Sequence, residues 1–261
     1  MIPRETIRDV LRQHLETELL LGVADVPVPP AAPAGSAPSS PPPAPSDVPS
    51  HRDVPEEQIA ARAAALAQLD EKHVRGCTKC PLSGTRTRTV FGQGHPAPRI
   101  VFVGEAPGFE EDQQGLAFVG RAGQLLTAMI KAMGLTRDEV YICNVLKCRP
   151  PNNRTPSHDE IAACSPYLLE QLRILQPEVI VALGAPAAQT LLNSAESIGR
   201  LRGRFHNFYT SGTPLNGEPT PLMPTYHPAY LLRSPGEKRK AWEDLMKVME
   251  YLGLPIPEQY R

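Results

Sequence analysis

Two runs constrain this 261-residue chain more than anything else in it: RIVFVG (99–104) and EVIVALG (178–184). Each is a compact block of apolar side chains without polar alternation, closed by a glycine. Such a strand has to be buried on both faces, which belongs to a parallel sheet sandwiched between helices. Val140–Val145 and LMPTYH (222–227) are further strand candidates. Helical patterns fill the intervals: 56–75, with Ile59, Ala63, Leu66 and Val74 on one period; Ala122–Met133; 185–193; and 236–252. Ser157 with Glu160 three residues on has the form of a capping box, opening a helix to about Leu175. The expected class is α/β: a three-layer α/β/α fold with a central, mostly parallel four-stranded sheet. TRTRTVFG (85–92) reads as β-rich, and PPNNRTP (150–156) as a loop. Functional loops of such sheets lie beyond the carboxyl ends of the strands. GEAPG (104–108), CNVLKCRPP (143–151) and HPAYLLR (227–233) occupy that place.

The first fifth of the chain is different in kind. The chain has 30 prolines where average usage gives about 13, and eleven of them fall between Pro27 and Pro55. Residues 23–55 cannot bury enough surface to offset their ordering entropy and read as a disordered linker. Residues 1–22 contain a short helix with Ile7, Val10, Leu11, Leu15 and Leu19 on one face. It reads as a solvated, tethered helix, with docking to a protein partner as the alternative. Residues 56–261 form the expected main domain. No run reaches the ~18 apolar residues of a membrane helix. The N-terminus interleaves acids and bases where a signal peptide would be apolar, so the expectation is a soluble, cytoplasmic protein. Residues 1–75 carry 7 Lys and Arg against 11 Asp and Glu, a net of −4, and residues 76–261 carry 20 against 17, a net of +3. That mildly basic balance neither demands nor excludes a nucleic-acid partner.

Five cysteines in a chain without an export signal point away from a disulfide framework. Cys77 and Cys80 form a C-x2-C pair, and Cys148 and Cys164 follow. Four thiolates so placed suit either zinc or an iron–sulfur cluster. A redox dithiol at Cys77 and Cys80, with ordinary buried thiols elsewhere, is the alternative. Cys143, inside an apolar strand, reads as a small core residue.

GEAPGFEED (104–112), AFVGRAGQLL (117–126), CNVLKCRPPNNRTP (143–156) and HPAYLLR together resemble the motif set of the family 4 uracil-DNA glycosylases. The resemblance covers roughly residues 74–252. It implies the uracil-DNA glycosylase fold and a [4Fe-4S] cluster held by Cys77, Cys80, Cys148 and Cys164. It also implies a monofunctional enzyme, working as a monomer and in use at the nucleoid, that excises uracil from DNA and leaves an abasic site. Such an enzyme flips the nucleotide into a pocket. By similarity, Phe118 stacks on uracil, Asn144 reads the O4 and N3–H edge, and His227 donates to O2. Glu105, Ala106 and Pro107 line the site, with Glu105 positioning water or the sugar. The catalytic set is then Glu105, Asn144 and His227, with a structural cluster bracing the segment that bears Asn144. Leu231, Leu232 and Arg233 form the candidate wedge that fills the gap in the duplex. Arg86, Arg88, Arg121, Arg149, Arg154, Arg200, Arg202 and Arg204 are candidates for phosphate contact.

Two departures stand out. The best-known uracil glycosylases carry a water-assisting aspartate where this chain has Ala106, and a tyrosine where it has Gly108. A weakly assisted route through an oxocarbenium-like sugar follows, with Glu105, Glu111 or Asp112 as the candidate helper. A related subfamily traps the sugar through a histidine in a basic KRRIH-like insert. This chain reads GRAGQ (120–124) there, which argues against a covalent trap. The rivals are a binding protein of the same fold that recognises uracil or abasic sites without turnover, and a zinc-stabilised nucleic-acid module without activity.

Overall fold

The computed structural model describes residues 54–209 and 219–258. The helix expected over 1–22, and nearly all of the linker, lie outside the described residues. Helix α1 (Glu56–Leu69) runs into a π-helical turn at Asp70–Val74. Then come β1 (Gln93–Gly94), β2 (Ile100–Gly104), α2 (Phe109–Gln114), α3 (Arg121–Ala132) and β3 (Tyr141–Asn144). Next are α4 (His158–Leu175), β4 (Val179–Leu183), α5 (Ala185–Leu192), α6 (Ile198–Leu201) and β5 (His206–Phe208). The chain closes with β6 (Thr220–Thr225), α7 (Pro228–Arg233) and α8 (Lys238–Tyr251).

The sheet has six strands in the order β1-β3-β2-β4-β6-β5. The inner four are the expected parallel ones, with Gly104 beside Asn144 and Leu183 beside Thr225. The four-stranded expectation is corrected by two short antiparallel edges, β1 on β3 and β5 on β6. At two and three residues, neither is long enough to show a period. TRTRTVFG also departs from expectation. It carries no strand, because the amides of Thr87 and Arg88 donate to the Asp112 carboxylate instead of a ladder, at 2.9 and 3.4 Å. Val90 gives its N–H to the Lys147 carbonyl at 2.8 Å.

Alternate side chains of each buried strand feed two cores. Val101, Val103, Ile180 and Ala182 pack with α1, α4 and α5 on one face of the sheet. Ile100, Phe102, Val179 and Val181 pack with α3 and α8 on the other. Every residue of β2 and β4 is buried, which is why neither strand alternates in sequence. The expected capping box opens α4: the Glu160 amide donates to Ser157 Oγ at 3.3 Å, and the Ser157 amide to Glu160 Oε2 at 2.8 Å. Arg154 grips the same carboxylate on both oxygens and holds it down at a pKa of about 2. These packed layers leave the carboxyl ends of β3, β2, β4 and β6 side by side, carrying Asn144, Gly104, Gly184 and the approach to His227.

Candidate active site

Gly104 is the floor of the site. A methyl group built on it would lie 2.3 Å from Asn144 Oδ1 and 2.6 Å from Phe118 Cζ. Only a residue without Cβ lets the amide and the ring meet over that strand end. Asn144 is the last residue of β3 and is buried, and its Oδ1 has no hydrogen-bond partner. An orphaned buried oxygen is costly, so it marks a place built for a donor from outside the protein. The Phe118 and His227 rings lie 5.6 Å apart between centroids, tilted by 35°. Gly184, at φ +90°, admits His227 Cβ to 3.0 Å from where its own Cβ would be. Phe118, Asn144 and His227 thus converge within reach of one small ring.

His227 caps α7, its Nδ1 accepting the Ala229 N–H at 3.1 Å. With Nδ1 engaged as an acceptor, the ring proton sits on Nε2, which is left as the donor. Burial, helped by Arg233 and opposed by Glu111, pushes the imidazole down to a pKa of about 4, so it is neutral at physiological pH.

Phe118 reaches its position through a left-handed backbone, φ +53°, uncommon for a bulky residue. Neighbours hold it there. Glu111 Oε1 accepts from the Val119 and Gly120 amides at 2.8 and 2.9 Å. Arg137 donates to the Ala117 carbonyl at 2.7 Å and to Thr127 Oγ1 at 3.1 Å. Gly123 leaves room for the Phe118 carbonyl, which would stand 2.0 Å from an added methyl.

These bonds divide the three candidate carboxylates. Glu111 ties the Phe118 loop, and Asp112, nearly fully buried, ties the Thr87 turn. Glu105 is half-buried and, among the described residues, has no hydrogen-bond or ion-pair partner for its carboxylate. Burial pushes its pKa upward. Pro107 is buried and Ala106 half-buried against the core, while the Gly104 and Glu105 carbonyls receive the Val145 and Leu146 amides at 2.9 and 3.0 Å. The loops after β2 and β3 are therefore one bonded unit.

The wedge expectation needs correction. Leu231 is 1% exposed and sits in the core beneath α7, so it has no surface to offer a DNA gap. Leu232 is half-buried and Arg233 exposed, which leaves those two at the surface. The arginines also sort. Arg202 forms a two-toothed ion pair with buried Asp244, at 2.9 and 2.8 Å, and Arg154 is spent on Glu160. Arg86 donates to the Cys77 carbonyl at 2.7 Å and to Cys148 Sγ at 3.3 Å. These three build the protein and do not stand free for phosphate.

Cys77, Cys80, Cys148 and Cys164 line one recess. Donors already point at its sulfurs: Tyr167 Oη to Cys77 at 3.3 Å and the Lys147 amide to Cys164 at 3.2 Å. Among the described residues, no three of these side chains close on a single metal ion. Cys143 is fully buried in β3, as expected.

Lys147 is a residue the sequence reading missed. It is fully buried, and its ammonium donates to the Asn144 carbonyl at 2.8 Å and to Gln171 Oε1. Its own amide meets Cys164, so one residue links the cysteine recess to the segment carrying Asn144. A lysine inside the apolar run CNVLKC was the available signal. Arg137, a support of Phe118, left no comparable trace, and Glu111 stood out only as a candidate helper for water.

The sequence has a counterpart: the model of the uracil DNA glycosylase superfamily matches residues 91–246. The chain is 46% identical over 190 residues to the type-4 uracil-DNA glycosylase of Thermotoga maritima, spanning 72% of this chain and 95% of that one. With the type-4 enzyme of Sulfurisphaera tokodaii it shares 44% over 191 residues (71% and 84%), and with that of Archaeoglobus fulgidus 42% over 198 (74% and 97%). The chain belongs to the type-4 uracil-DNA glycosylases. Among the described residues, no helix is long and apolar enough to cross a membrane.

Proposed function

We infer that this chain is a DNA repair glycosylase that takes uracil out of the DNA stack and hydrolyses its N-glycosidic bond, leaving an abasic site. The observation that carries the reading is the orphaned Asn144 Oδ1 beside the Phe118 ring over Gly104. A uracil edge supplies what that amide lacks: N3–H donates to Oδ1, and O4 accepts from Nδ2. Cytosine presents the opposite pattern and leaves both groups frustrated. Phe118 offers its face to the flat ring.

Bond cleavage puts negative charge on the departing base. His227 Nε2–H, neutral and fixed, is the donor for O2, and a fixed donor of this kind contributes about 2.7–4 kcal/mol in other enzymes. The sugar develops oxocarbenium character, and Glu105 is the carboxylate left free to hold water or offset that charge. Arg233 and Leu232 take the wedge role, and Arg88, Arg121, Arg149, Arg200 and Arg204 stay as candidates for the DNA backbone.

The four cysteines suit a [4Fe-4S] cluster by their chemistry and placement: four thiol ligands line one recess. Burial pushes Cys148 upward and Cys164 to about 11, so a metal's positive charge is what would bring both to thiolates. When bound, the cluster supplies a covalent staple between the loop after β3, α4 and the Cys77 turn. Lys147 passes that rigidity to Asn144.

The test is release of uracil from a uracil-containing oligonucleotide by purified holoprotein, followed by alkaline cleavage at abasic sites. Multiple turnovers with free uracil as product are expected. A stable protein–DNA adduct, or no release, overturns the reading. Iron and sulfide analysis of the same preparation decides the cluster, and stoichiometric zinc without sulfide would refute it.

A further inference from the structure

We propose that Phe109 and Arg149 form a second nucleotide site, a stacking platform for the base next to the extruded uracil in its own strand. Phe109 opens α2 immediately after GEAPG and is 57% exposed, the most exposed of the large apolar side chains described. Exposure of a single ring is ordinary by itself; its pairing with a cation at the rim of the site is what singles it out. The Arg149 guanidinium lies 5.0 Å over one face of that ring, which leaves the other face open. Arg149 Nε donates to Asn153 Oδ1 at 2.8 Å, and its terminal nitrogens have no partner among the described residues.

Continuity with the uracil site sets the occupant. Phe109 follows Glu105 by four residues, and Arg149 follows Asn144 by five, on two loops that are bonded to each other. Whatever enters the site over Gly104 trails its neighbouring nucleotide across this rim. A ring with a guanidinium beside it suits a base on the open face and a phosphate on the fork. Stacking on an aromatic face tolerates any base, so the platform serves uracil in every context. It contributes most on single strands, where the neighbouring base has no duplex partner to leave. The proposal rests on the glycosylase reading for its orientation.

The experiment uses full-length holoprotein and single-stranded oligonucleotides with one uracil and 2-aminopurine on its 5′ or 3′ side. Wild-type protein should quench one of the two probes. Phe109→Ala should abolish the quenching and weaken binding about 5- to 150-fold, less on duplex, whereas Phe109→Trp should keep both. Arg149→Gln should make the salt dependence of binding shallower by about 0.7 in slope. Unchanged affinity and quenching in Phe109→Ala, or no quenching on either side, overturns the platform. An unchanged slope in Arg149→Gln overturns its phosphate half. Wild-type protein that quenches the probe yet releases no uracil would sink the glycosylase reading and leave the platform standing.

Discussion

Asn144 and Phe118 meet over the same glycine but are delivered there by opposite means. Asn144 ends a parallel strand, in register with Gly104, and its carbonyl is held by a buried lysine. Phe118 belongs to no strand or helix. Its left-handed backbone stands only because Glu111, Arg137 and the space at Gly123 surround it. Position by regular structure comes with the fold, and position by side-chain clamps is added to it. Strain of the second kind, of order 1–3 kcal/mol, concentrates at sites where geometry matters more than stability. The reader, Asn144, and the platform that stacks on uracil, Phe118, should therefore fail differently.

The largest effect is expected at the reader itself. In Asn144→Asp, a carboxylate replaces the amide donor facing O4, and uracil release per folded molecule should fall about 10⁴-fold, with stability lowered as well because the new charge is buried. Single-turnover kinetics with melting curves would check this, and near-normal uracil release would refute edge reading. Gly104→Ala strikes both partners at once. Its methyl would lie 2.3 Å from Asn144 Oδ1 and 2.6 Å from Phe118, so one or both must withdraw. A displacement of that size costs about 10²-fold in rate. Arg137→Met should touch the platform alone. Losing a charged donor to the Ala117 carbonyl costs about 1.5–3 kcal/mol of stability. Uracil release should slow about tenfold or less, with the preference for uracil over cytosine intact. A changed base preference would show that reader and platform are not separable.

That contrast also explains what could be read from the sequence. Two of the four parallel strands, β2 and β4, were plainest because IVFV and VIVAL are apolar throughout, a signal that survives without a structure. The edges β1 and β5 are too short to carry one. Thr87 and Arg88 looked like strand because their true partner, the Asp112 carboxylate, lies 24 or 25 residues away. Motif resemblance named Phe118, Asn144 and His227, since each lies in a quoted segment, and the structure places Phe118 beside both of the others. It could not say which leucine of α7 faces outward, because a six-residue helix is too short for its period to fix a face. Nor could it foresee that Phe118 needs a positive φ. That depends on contacts from Arg137, which falls in none of the motifs.

The smallest expected effect is one of pH, and it tests the neutral histidine. With His227 at about 4 in the folded protein against about 6.5 unfolded, the unfolded state binds more protons between those values. Stability should therefore rise with pH through that window and level off above it. Catalysis should show no step from His227 between pH 5.5 and 8, because its donor is already neutral. An acid limb is expected from Glu105, whose carboxyl burial holds above its usual value and whose useful form is ionised. In single-turnover assays, Glu105→Gln should then lower the rate and remove the limb together. A limb near pH 6.5 that persists in Glu105→Gln would mean that His227 titrates at its ordinary value. The donor to O2 would then be a cation below that pH, and both the hydrogen bond from Ala229 to Nδ1 and the neutral-donor mechanism built on it would fail.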